Sequence, residues 1–99
     1  MLRKNKRKLH ELKGIIHFCW PGQSKSKIYK NQPLFLLEVE LESLLGSAKK
    51  ETIYVFPNLV SPEIWKTLAQ EDYEGQKYIF YCEKRVRGWR LREWKKLLC

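Results

Sequence analysis

The chain is short of the residues that would tie it to a membrane span, a disulfide framework or a metal. Its aliphatic and aromatic runs reach only about four residues, as at Leu34 to Leu37, far less than a helix needs to cross a bilayer. The basic N-terminus lacks the apolar segment of a signal peptide. Three scattered cysteines, Cys19, Cys82 and Cys99, make a poor disulfide framework and fit a reduced, cytoplasmic protein. There is no CxxC pair and no second pair of ligands to join His17 and Cys19, so no metal is expected. No glycine-rich loop is present to cradle a phosphate, and no cofactor is implied. Acidic residues are also scarce, 11 against 20 lysines and arginines, leaving a net charge of +9 on 99 residues. That excess favours an anionic partner.

A chain of this length makes one domain with one modest core. Residues 1–8 carry Arg3, Lys4, Lys6, Arg7 and Lys8 with few apolar groups, which predicts a self-repelling, flexible basic arm ahead of a single domain over 9–99. From Leu12 to Phe18 apolar groups recur at period two. Leu12, Ile16 and Phe18 share a face with Gly14, whose place in a strand suggests a bend or bulge. Trp20-Pro21-Gly22 closes this strand, and residues 23–32 form a polar connection. Leu34 to Leu41 alternates most cleanly, with Phe35, Leu37, Val39 and Leu41 on one face and Leu36, Glu38 and Glu40 on the other, where Glu42 joins them. A turn over residues 44–50 leads to a third strand at Glu51 to Phe56. Ile53 and Val55 are assigned inward, Tyr54 and Phe56 outward.

Ser61-Pro62-Glu63 is a helix start: a capping hydroxyl, a proline in the first turn and an acid at the positive end of the helix dipole. Ile64, Trp65 and Leu68 come next at helical spacing, with a stop expected near Asp72 to Gly75. Lys77 to Leu97 then folds back on itself as a hairpin. An aromatic run, Tyr78 to Cys82, crosses a basic segment to Trp89-Arg90-Leu91-Arg92, and Gly88 is placed to take a positive φ. Beyond Leu91 the spacing of Leu91, Trp94 and Leu98 suits a strand or a short helix. Trp65, Phe18, Phe35 and Phe80 are assigned to the core; Trp20 and Trp94 are left open.

Three strands, a helix and a closing hairpin resemble the OB-fold, a small five-stranded Greek-key barrel. The likeness covers about residues 9 to 97 and rests on Leu12-x-Gly14-x-Ile16, the capped helix and the hairpin. An RRM would need a helix after its first strand, and an SH3-like barrel would leave the capped helix without a place. The resemblance implies an all-β protein with one helix between strands 3 and 4, binding single-stranded DNA or RNA through strands 2 and 3 and two connecting loops. On this chain those elements hold Lys25, Lys27, Tyr29, Lys30, Tyr54, Phe56, Arg85 and Arg87, and the closing hairpin adds Trp89, Arg90 and Arg92. The cations suit phosphates and the rings suit bases, although Trp89 can equally be read as core. Glu38, Glu40 and Glu42 oppose this reading, because three carboxylates on one strand face repel phosphate. Either basic neighbours neutralise them, or the nucleic acid lies toward the hairpin, or that face docks a protein. A Cys82–His17 nucleophile pair is conceivable, but nothing in the sequence joins the two. The expectation is a non-catalytic binding module.

Overall fold

The computed structural model describes residues 9–24, 32–42 and 49–97, and these form a closed, OB-like barrel. Among them are five strands, β1 (His10–Gln23), β2 (Pro33–Leu41), β3 (Lys49–Val55), β4 (Lys77–Arg85) and β5 (Gly88–Leu97). One helix, α1 (Pro62–Ala69), joins β3 to β4. The strand order is β1-β2-β3-β5-β4, with β4 returning to β1. All neighbours are antiparallel except β3 and β5, which meet in parallel at Ile53–Trp89 and Tyr54–Arg90.

Closure depends on β1 serving two partners. Gly14 and Ile15 pair with Leu41 and Glu40 of β2 and also with Tyr78 and Lys77 of β4. At this crossing a Cβ on Gly14 would lie 2.1 Å from the Glu40 carbonyl oxygen, so any side chain there would drive the strands apart. Three residues further on, β1 bulges: Ile16 faces Val39 but Phe18 faces Glu38, leaving His17 as the extra residue.

Inward alternation from every strand builds one core. Leu37, Val39, Ile53, Val55, Phe80, Cys82 and Leu91 are wholly buried, joined by Ile64 and Leu68 from α1. α1 starts as its sequence dictates, with the Ser61 hydroxyl accepting from the Ile64 amide at 3.3 Å. Trp65 is partly buried against Phe35, the ring centroids 4.5 Å apart. The helix ends at Ala69, and turns continue through Glu71 and Gly75, both at positive φ.

Several expectations are corrected or completed here. Phe18 is not core; the bulge turns it outward and leaves it 52% exposed. β1 does not stop at Trp20-Pro21-Gly22 but pairs with β2 as far as Gln23. The end of β5 is strand, because its backbone bonds β4 as far as Leu97 opposite Lys77. No helix among the described residues is long and apolar enough to cross a membrane. The basic arm over 1–8, most of the β2–β3 turn and Leu98 lie outside the described residues.

Candidate nucleic-acid interface

The outer face of β1, β2, β3 and β5 carries a continuous cross-strand row. Trp20 pairs with Leu36, Leu36 with Tyr54, and Tyr54 with Arg90. Residues directly opposed in a ladder project to the same side of the sheet, so these four groups lie edge to edge. Beside Trp20, Phe18 extends the aromatic surface: the two rings are 5.4 Å apart and only 18° from parallel, and Trp20 is 44% exposed. Two large rings exposed side by side make the kind of contiguous apolar patch that marks an interaction surface.

The row runs across a groove of about 520 Å³. Trp20 to Ser24 make one wall, Leu34, Leu36, Tyr54 and Phe56 line the base, and Arg85, Arg87 and Arg90 close the far side. The arginines reach it because the β4–β5 hairpin turns tightly. Arg85 pairs with Gly88 across a loop of Val86 and Arg87, and Gly88 takes φ 125°. A Cβ at Gly88 would approach the Thr52 carbonyl oxygen of β3 to 2.8 Å, so the glycine also lets the hairpin close onto β3.

The arginines differ in what holds them. Arg85 and Arg87 are exposed at the rim. Arg90 stands 5.5 Å over the Phe56 ring, and its Nη1 is 3.7 Å from the carboxylate of Glu83, which is only 3% exposed. Arg92 donates to the same carboxylate at 3.3 Å. A buried acid shared by two arginines fixes their side chains and cancels part of their charge. Arg92 does not line the groove.

One aromatic assignment holds in part and one changes. Phe56, just past the end of β3, lines the groove with Tyr54 as alternation predicts, but it is buried rather than open, with Arg90 over its ring. Trp89 lies outside the groove, partly buried against the core. Its Nε1 donates to Glu51 at 3.0 Å, the His10 ring sits at its edge, and the Lys84 ammonium lies 4.6 Å over its face. That face is therefore covered by Lys84. Lys25, Lys27, Tyr29 and Lys30 lie outside the described residues. Phe18 and Trp20, absent from the sequence-based set of contacts, are the large rings the structure leaves exposed beside the groove. Gly14 signalled an irregularity in this strand, but the position of the bulge at His17, which turns Phe18 outward, was not legible.

The acidic strand face is neutralised from within. Lys50 lies 3.7 Å from Glu38, His17 Nε2 2.6 Å from Glu40, and both Lys77 and Lys13 engage Glu42. The Lys77 hydrogen bond, aided by the charges of Lys77 and Lys13, holds the Glu42 carboxyl below its usual range despite some desolvation. Glu38 and Glu42 are thus paired with lysines and Glu40 is hydrogen-bonded to His17, which reduces the repulsion of phosphate expected from three bare carboxylates.

Compared with protein-family models, with curated proteins and with solved structures, the chain finds no counterpart. It matches none. Any functional reading therefore rests on its own geometry. Among the described residues no three potential ligands cluster as a metal site would require. Cys82 is wholly buried within the barrel, its thiol pushed up to about 12 by desolvation, whereas His17 sits on the outside. Cys19 packs partly against the core, and burial, with the charge of Glu71, pushes it up to about 11. Both thiols are protonated at neutral pH and are poor nucleophiles.

Proposed function

We propose that this barrel is a non-catalytic module that binds single-stranded DNA or RNA with little base specificity. One observation carries the reading: the Trp20–Leu36–Tyr54–Arg90 row, widened by Phe18, runs into a groove rimmed by Arg85 and Arg87. Apolar rings offer stacking surfaces to bases, and exposed guanidinium groups offer charge to phosphates. Base faces are available in a single strand and hidden in a duplex, so the site suits the former. The described floor is mostly ring and aliphatic surface, which distinguishes bases poorly.

Pairing of Glu38, Glu40 and Glu42 with basic groups of the same chain weakens the competing reading of a docking face for a cationic protein partner. Fluorescence anisotropy with labelled single-stranded and duplex oligonucleotides tests the proposal. Single strands should bind more tightly than duplexes, with affinity falling by about 0.7 log units per log unit of salt for each phosphate held. Arg85→Ala combined with Arg87→Ala should flatten that slope by roughly 1.4, the share of two phosphates. No single-strand binding at low salt, or a double variant that binds as the parent does, would refute it.

A further inference from the structure

The outer side of the first half of β1, with the parts of β4 and β5 that pair beside it, takes no part in the groove, yet it holds two of the large apolar side chains left exposed, Leu9 at 41% and Ile15 at 38%. Outward positions along this stretch run Leu9, Glu11, Lys13, Ile15: apolar, negative, positive, apolar. Across β4, which is apolar at the two charged levels and carries Lys77 beside Ile15, β5 repeats the negative and positive positions. Glu11 lies beside Tyr81, and Tyr81 beside Glu93. Lys13 lies beside Ile79, and Ile79 beside Lys95. The face thus has an acidic row and a basic row, each with an apolar residue at its centre.

Such a surface is complementary to itself. A two-fold axis lying across the strands, midway between the rows, sets Lys13 against the other copy's Glu11 and Lys95 against its Glu93. It sets Ile79 on Tyr81 and Leu9 on Ile15. An axis along the strands would instead oppose lysine to lysine. Among the described residues no salt bridge engages Glu11, Glu93 or Lys95, and Lys13 has only a 3.9 Å contact with Glu42. The two lysines and two glutamates cancel, so this patch is locally neutral on a chain of net charge +9. We propose that the protein forms a two-fold symmetric dimer through this face, its partner being a second copy of the chain. The charged rows fix the register, the apolar centre supplies most of the attraction, and each copy keeps its groove open on another side of the barrel.

Sedimentation equilibrium from micromolar to several hundred micromolar protein tests the proposal. The parent's apparent mass should climb from 12.0 kDa toward twice that value. Glu11→Lys with Glu93→Lys should weaken association at least about tenfold, as should Lys13→Glu with Lys95→Glu. The second pair lowers the net positive charge, so a merely non-specific association would tighten. Mixing the two variants should restore a dimer. Ile15→Ser, which changes no charge, should weaken the parent dimer several-fold. A parent that stays monomeric throughout, a charge-reversed variant that dimerises as well as the parent, or a mixture no better than its components would overturn the proposal. None of these readouts depends on nucleic acid.

Discussion

The two halves of β1 have different chemistry. From Leu9 to Ile15 the outward side carries alternating charge between aliphatic ends and lies beside β4. From Phe18 to Gln23 it carries stacked aromatic rings and lies beside β2. One strand thus contributes to two surfaces, and the change occurs over Gly14 to His17. The glycine permits close crossing of β2, and the bulge at His17 re-aims Phe18 and the residues after it. The comparison teaches that a single extra residue can turn core-patterned aromatics outward to the surface while the barrel still closes.

The sharpest way to break this arrangement is at the crossing itself. Gly14→Ala should cost about 3 kcal/mol, the upper end of overpacking penalties, because the obstacle is backbone rather than a flexible side chain. Urea denaturation reads the loss; a cost near zero would mean that the strands do not approach so closely. Next come the rings. Phe18→Ala and Trp20→Ala should each weaken single-strand binding by about 1–3 kcal/mol in anisotropy titrations. Their stability should change by no more than about 0.5 kcal/mol, as expected of exposed positions. Ile15→Ala, on the other half of the strand, should leave oligonucleotide affinity unchanged.

Trp89 separates groove from barrel. Trp89→Phe removes the Nε1 hydrogen bond to Glu51 and should lower stability by about 1 kcal/mol while sparing binding. A fall in affinity with stability intact would return Trp89 to the interface. The smallest effect concerns the ion pairs beside β1. Glu42 titrates lower in the folded chain than its ordinary 4.5, so its contribution is present above that pH and is lost as acid protonates the folded carboxyl. Glu42 is exposed, so the effect should be slight: melting temperature should decline on acidification below pH 4.5 a little less in Glu42→Gln than in the parent.

Much of the barrel was legible from local chemistry. The alternation of Leu37, Val39, Ile53 and Val55 fixes which sides of β2 and β3 are buried, because successive residues of a strand face opposite ways. Ser61-Pro62 sets the start of α1 through its own hydroxyl and ring geometry, and Gly88 marks the hairpin through a φ that other residues resist. In these cases each residue's preference and its place in the barrel agree.

Tertiary structure alone decided the remainder, because those features depend on groups distant in the chain. Phe18 faces outward because β2 sets the ladder against which His17 is one residue too many. Leu91 and Trp94 lie on a strand because the backbone of β4 supplies the partners that a helix would have found within itself. Trp89 faces the core because β3 sets it opposite the buried Ile53, and Glu51, 38 residues away, accepts its indole hydrogen. Glu38, Glu40 and Glu42 gain partners only when the fold brings Lys50, His17, Lys13 and Lys77 beside them. Side-chain alternation is local, but register and charge pairing are properties of neighbours, and only folding determines who the neighbours are.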